Sequence, residues 1–205
     1  SNQLEVTLKD HFQSQYNAAF TEWTLLNLCF SKRHPQLIKA MYVSVCINGV
    51  KMFCKFSAKQ VDFACEFGAF EVLKQTTLST AYRPVAAFHT NVPLLPYAVV
   101  SQFIDQPNMF EFLVHHHSIT FEQFAKVMRN FALAIDSLHQ YCLVHRDIKL
   151  ENTIVNRETF SVYLIDFGHS CLLSSLTETM TGVWGTPYSA APETLRAKEE
   201  FTYRC

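Results

Sequence analysis

A change of hydrophobic period near the middle of the chain constrains its fold more than any other feature of the 205 residues. Up to about residue 104 most apolar residues fall in short runs bounded by turn residues, as in strands. Beyond it they recur every three or four positions, as on one face of a helix. The runs 41–46 and 50–56 are joined through Asn48-Gly49, a pair that accepts the positive φ needed at both centres of a tight hairpin turn. A strand is expected over 23–30, followed by the polar, basic connection Ser31-Lys32-Arg33-His34-Pro35. Residues 59–75 break into this strand region with helical spacing at Val61, Phe63, Phe67, Phe70 and Leu73, although Gly68 costs about 1 kcal/mol there against Ala. Two more strands are expected over 85–89 and 97–104. Thr120 and Gln123 then form a capping box for a helix over 121–140, with a stripe of Phe121, Phe124, Met128, Phe131, Ile135 and Leu138. Short runs at 153–155 and 162–165 flank Asn156-Arg157-Glu158-Thr159 as a further hairpin. Strands with one helix, then helices with short strands, make an α+β, two-lobed layout.

Composition removes several classes. With 49% hydrophobic and 17% charged residues the chain can bury a core, so disordered and collagen-like chains are excluded. A net charge of -1 and a pI near 6.7 give no global basic field for nucleic acid or an anionic membrane. The longest charge-free run, 84–104, is interrupted by prolines, a His, an Asn, a Ser and a Gln, which is poor material for a membrane helix. The seven cysteines are odd in number and never spaced C-x-x-C, so reduced thiols in an intracellular (cytoplasmic or nuclear) setting are expected rather than a disulfide framework or zinc site. His115-His116-His117 cannot all face one ion, and with no carboxylate or Cys cluster beside them they read as a solvated connection.

The chemistry is concentrated late. Val144-His145-Arg146-Asp147-Ile148-Lys149-Leu150-Glu151-Asn152 is followed by Asp166-Phe167-Gly168 and then by Gly185-Thr186-Pro187-Tyr188-Ser189-Ala190-Ala191-Pro192-Glu193. In this order and spacing the three sets resemble the eukaryotic protein kinases. The resemblance covers roughly residues 20–205 and is specific from 140 to 193. It implies a bilobal fold with an extension over 1–20, an N-lobe over 21–104 built of an antiparallel sheet with one helix, and a partial, mainly helical C-lobe over 105–205. The helices that follow the Ala-Pro-Glu element in the family are absent from these 205 residues, so the chain is expected to be a C-terminally truncated domain. Glu193, without its usual arginine partner, is then expected to be exposed or paired otherwise.

The resemblance also implies roles. Asp147 would accept the proton of a substrate hydroxyl, Lys149 would neutralise the transferring phosphoryl group, and Asn152 and Asp166 would hold Mg²⁺. His145 and Phe167 read as packing residues. Arg146 marks kinases whose activation segment is often organised by a phosphate or an acidic substitute. Lys149 and Thr186 look like the versions found in Ser/Thr kinases, so the implied partner is a protein substrate presenting Ser or Thr. Ser174, Ser175, Thr177, Thr179 and Thr181 are candidate regulatory hydroxyls.

The upstream half matches less closely. Lys55 stands where the family has its nucleotide-anchoring lysine, with Lys51 as the alternative, and Phe53 replaces the small residue usual two positions before it. That ring would crowd the adenine of ATP or shift the register. Helical phase turns Glu66 inward as the partner of Lys55, whereas chain separation favours Glu71. Residues 99–104 resemble the strand-to-hinge segment whose backbone binds adenine, at Gln102 and Ile104, and Ser101 would leave the back of that pocket open. The family's G-x-G-x-x-G phosphate loop has no counterpart, since residues 1–48 contain no glycine. Either Lys32, Arg33 and Lys39 hold phosphates by charge, or the loop holds them poorly. Two functions follow: a Ser/Thr kinase using ATP and Mg²⁺, or a kinase-like scaffold or inhibitor that binds another kinase or regulatory protein without catalysis.

Overall fold

The structure is a computed structural model that describes residues 6, 9–10, 13–14, 19–30, 37–75, 84–92, 94–115, 119–196 and 200–203. The chain divides into two compact units, Ser1–Phe67 with Arg83–Phe103, and Gly68–Tyr82 with Ile104–Cys205.

The first unit is an antiparallel sheet in the order β1-β2-β3-β5-β4. Its strands are β1 (Phe20–Phe30), β2 (Ile38–Ile47), β3 (Val50–Ser57), β4 (Pro84–His89) and β5 (Tyr97–Gln102). Asn48 and Gly49, at φ 50° and 76°, turn β2 into β3 with no register slip from Ile47↔Val50 to Ala40↔Ser57. Strand alternation then sorts the side chains. Val43, Val45, Ile47, Cys54, Phe56, Ala98 and Val100 make the core on one face. Truncating the fully buried Phe56 to Ala is expected to cost about 3–5 kcal/mol. The opposite face carries Tyr42, Ser44, Phe53, Lys55, Val99 and Ser101, paired directly across β2, β3 and β5. Helix α1 (Gln60–Gln75) follows β3, and the boundary between the two units falls inside it. Phe63 stacks on Tyr97 at 4.9 Å, and Phe70 and Leu73 are buried, but Val61 and Phe67 of the expected stripe are exposed.

The second unit contains α2 (Met109–His115), α3 (Phe121–His139) and two small antiparallel ribbons. One ribbon pairs β6 (Leu143–Val144) with β9 (Cys171–Leu172), the other β7 (Thr153–Val155) with β8 (Val162–Leu164). Thr120 and Gln123 cap α3 reciprocally, as the sequence predicts. Asn108 and Glu111 do the same for α2, each side chain accepting from the other's backbone N–H.

The expected stripe of α3 needs correction. Phe121 is 88% exposed, and Phe124 and Met128 are also exposed; the buried face is Val127, Ala134 and Leu138, with Phe131 and Ile135 partly covered. The helix packs against β6 and β8, where the fully buried Ala134 permits a close approach that large side chains would block. With Phe112, Leu143, Leu164 and Phe167, this face builds the second core. No helix among the described residues is long and apolar enough to cross a membrane.

Candidate active site

Pairing of β6 with β9 fixes the entry to the loop 145–149, and a 3₁₀ turn over Leu150–Asn152 fixes its exit into β7. His145 is buried at the start. Its Nε2–H donates to the Ile165 carbonyl at 2.9 Å while its Nδ1 accepts the Asp147 backbone N–H at 3.3 Å. Both nitrogens are thereby assigned, and the ring is a neutral strut tilted against Phe167, 4.8 Å between centroids. Burial pushes the imidazole below its ordinary pKa, against the opposing pull of the Ile165 carbonyl and the Asp166 and Asp147 charges.

Asp147 comes next and is held from three places in the chain. Thr186 Oγ1 donates to Oδ1 at 2.6 Å, Asn152 Nδ2 donates to Oδ2 at 2.9 Å, and Lys149 Nζ lies 3.1 Å from Oδ2. Lys149 also donates to Thr186 Oγ1 at 2.9 Å, closing a ring of side chains. Burial alone would raise the carboxyl pKa; the hydrogen bonds from Thr186 and Lys149, with the Lys149 charge, outweigh it and hold the group below the usual carboxylate value. Asp147 is therefore ionised and oriented at neutral pH. Thr186 as a direct ligand of Asp147 is not evident from sequence, since only folding brings residues 39 apart together.

Asn152 spends its amide nitrogen on the Asp147 carboxylate and carbonyl, leaving its amide oxygen as the atom that can turn to a cation. Asp166 adjoins Ile165, whose N–H donates to the Asn152 carbonyl and whose carbonyl receives His145. It sits at φ 63°, a left-handed conformation rare for a non-glycine residue and of the kind found at functional sites. A carboxylate and an amide oxygen form a hard donor set that suits Mg²⁺. Among the described residues no group of three or more His, Cys, Asp or Glu forms a metal cluster. His115 is exposed at the end of α2, and His116 and His117 lie outside the described residues.

An apolar cavity of about 580 Å³ borders Arg146 and Asp147 and is lined by Ile135, Leu138, Met180, Trp184 and Phe201 among others. Glu193 is half-buried in a 3₁₀ turn over Pro192–Leu195.

In the first unit Lys55 Nζ lies 2.8 Å from Glu66 Oε2, with both side chains buried. Glu71 is exposed, so helical phase rather than chain separation identifies the residue that meets Lys55. Phe53 does not shift the register; it stacks on Tyr42 at 5.8 Å between centroids, on the same sheet face as Lys55. Lys51 points along that face too, its Nζ 4.0 Å over the Phe103 ring. Ser101, directly across from Phe53, is buried. Gln102 closes β5 and is exposed, and Ile104 packs against the second core, its carbonyl accepting the Gln106 N–H. Lys39 falls by alternation on the core side of β2, opposite Lys55. Lys32 and Arg33 lie outside the described residues.

Comparison with known proteins follows the same outline. A family model described as "Protein kinase domain" matches residues 44–204. Protein kinase kin1 of Schizosaccharomyces pombe is 35% identical over 102 residues, 50% of this chain and 11% of that protein. Mitogen-activated protein kinase kinase kinase mom-4 of Caenorhabditis elegans is 32% identical over 103 residues, 49% of this chain and 19% of that protein. Serine/threonine-protein kinase MST20 of Pyricularia oryzae is 33% identical over 101 residues, 49% of this chain and 11% of that protein. The matched stretch is thus a fifth or less of each relative's length.

Proposed function

This chain belongs to the protein kinase domain family, and from that premise we propose that the protein transfers the γ-phosphoryl group of ATP to Ser or Thr hydroxyls of a protein substrate. The observation that carries the reading is the state of Asp147. An ionised carboxylate offers about four lone-pair sites; Thr186, Lys149 and Asn152 take three, and the fourth, on Oδ1, is the place for a substrate hydroxyl. The hydroxyl oxygen attacks the γ-phosphorus as the bond to the β–γ bridging oxygen breaks, ADP departs, and the proton passes to Asp147. Lys149 neutralises charge on the group in transit.

Asn152 and Asp166 are the residues that would hold Mg²⁺, which when bound neutralises charge on the nucleotide phosphates. Lys55, set by Glu66, takes the non-transferred phosphates, and the backbone at Gln102 and Ile104 takes adenine. In this assignment residues 21–104 and 105–205 are the two lobes, and an ATP-using protein with reduced cysteines works inside the cell. The Ser/Thr preference is supported by Lys149 bonded to Thr186, and by similarity to the serine/threonine-protein kinase of Pyricularia oryzae.

Radiolabelled phosphate transfer from MgATP to a generic protein substrate, comparing the full-length protein with Asp147→Asn, tests the proposal. A drop of about 10²-fold or more is expected, and equal signals would sink the enzymatic reading. A second reading, a kinase-like module that binds another kinase without catalysis, is favoured by the Tyr42–Phe53 rings on the Lys55 face and the glycine-free stretch before them. A thermal-shift titration separates the two: stabilisation by MgATP supports the enzyme, and no shift supports the scaffold.

A further inference from the structure

Three consecutive residues of the segment after Asp166 meet the catalytic loop, each in a different way. Trp184 lies under the Arg146 guanidinium, which sits 4.0 Å over the indole ring. Gly185, at φ +78°, presses its backbone against the same residue: a Cβ there would stand 2.3 Å from the Arg146 carbonyl oxygen. Thr186 donates to Asp147 and receives Lys149. The stack is itself braced at both ends. Arg146 Nε and a terminal nitrogen donate to the carbonyls of His169 and Ser170 at 2.6 and 3.0 Å, and Trp184 Nε1 donates to the Thr181 carbonyl at 3.0 Å. Arg146 also sits at φ 60°, a strained conformation that needs outside support.

We propose that Trp184 is a positioning residue for phosphoryl transfer: by stacking on Arg146 it sets the register in which Thr186 reaches Asp147. The flat indole face fits a guanidinium in a way an aliphatic side chain cannot, because the attraction comes from the ring's negative face. If Trp184 slides, Gly185 loses its seat on the Arg146 carbonyl and the Thr186 hydroxyl leaves the carboxylate it orients. Neither Trp184 nor Gly185 nor Thr186 is assigned to the ATP phosphates in the reading above, so displacing them acts on turnover rather than on nucleotide affinity.

This inference rests on the phosphoryl-transfer reading, and the experiment separates the two. Kinetics are measured on the full-length protein as wild type, Trp184→Phe, Trp184→Leu and Trp184→Ala. The expected result is a kcat about tenfold or more lower for Ala and Leu, a kcat within about threefold of wild type for Phe, and a KM for ATP within about twofold throughout. Leu matching Phe would reduce Trp184 to bulk packing, and Ala with wild-type kcat would remove any role; either overturns the proposal. A second readout is independent of turnover. These 205 residues hold two tryptophans, so in a background where Trp23 and any tryptophan outside them are replaced by Phe, the fluorescence of Trp184 reports the stack directly. Arg146→Gln should shift its emission to the red and raise its quenching by acrylamide. Unchanged emission and quenching overturn the stack even if wild type transfers no phosphate, whereas absent transfer with an intact stack sinks only the functional reading.

Discussion

The two units hold their charged groups by different means. In the second, Asp147 and Lys149 sit in a ring of short hydrogen bonds drawn from the loop after β6, the 3₁₀ turn and the segment at Thr186, with Lys149 still partly open to solvent. In the first, Lys55 and Glu66 form a pair that is almost fully buried, and Lys55 shares its sheet face with the Tyr42 and Phe53 rings, Val99 and small hydroxyls. One arrangement is organised around the carboxylate proposed to react, and the other around a buried charge pair. Stability and activity should therefore respond in opposite proportion when each is disturbed.

The largest effect is expected on turnover. Lys149→Ala should reduce phosphate transfer by about 10²–10³-fold, while changing urea-unfolding stability by no more than about 1 kcal/mol. A loss of stability as large as that of the next variant would erase the contrast between the units. Glu66→Ala removes the carboxylate that meets a buried ammonium and should cost on the order of 3 kcal/mol, read from the urea midpoint. The double variant Lys55→Met/Glu66→Leu should recover most of that loss, since apolar residues of similar volume replace a buried pair well, yet bind no MgATP in a thermal-shift assay. Failure of the double variant to recover would mean that the pair, like the Asp147 ring, is supported by further polar contacts.

A smaller effect tests the aromatic face itself. Removal of a ring that crowds a nucleotide base should tighten MgATP binding several-fold in Phe53→Ala, about 1 kcal/mol. Weaker binding would instead make the Tyr42–Phe53 pair a stacking platform for the base. The smallest effect is on the pH dependence of stability. Burial lowers the folded-state pKa of His145, so its contribution is complete above the unfolded value near 6.5 and is lost as pH falls toward the folded value. The half-buried His139, also lowered by burial, adds a slope of the same sign. His145→Asn should thus flatten, without abolishing, the decline in urea midpoint between about pH 7 and 5. An unchanged slope would show that the ring is not the buried neutral strut described.

Much of this arrangement is legible in the sequence because local rules decide it. Asn48-Gly49 dictates the hairpin, the Thr120/Gln123 box starts α3, and helical phase alone points to Glu66 over Glu71. The Asn108/Glu111 cap follows the same logic and was within reach of the sequence rules. What local rules miss is which neighbour a residue meets. The pattern on α3 favoured the large residues Phe121, Phe124 and Met128, but burial went to Val127 and Ala134 because β6 and β8 approach that side closely. Trp184 shows the same limit. An isolated tryptophan in a polar stretch carries no periodic signal, and its partner lies 38 positions earlier. Phe53 was readable as an obstacle, but Tyr42, the ring it stacks on, was not.

The ring around Asp147 also has a history within each molecule. Asn152 and Lys149 emerge from the ribosome with the aspartate, but Thr186 follows 39 residues later. Closing a loop of that length costs on the order of 3 kcal/mol in chain entropy, an amount repaid only once β6 has met β9 and the intervening segment has docked. A nascent chain therefore displays the carboxylate proposed as catalytic well before Thr186 can complete the ring around it. In the proposed phosphoryl-transfer reading, competence thus waits on the last of the three partners, and incompletely folded copies carry the carboxylate without the ring that orients it.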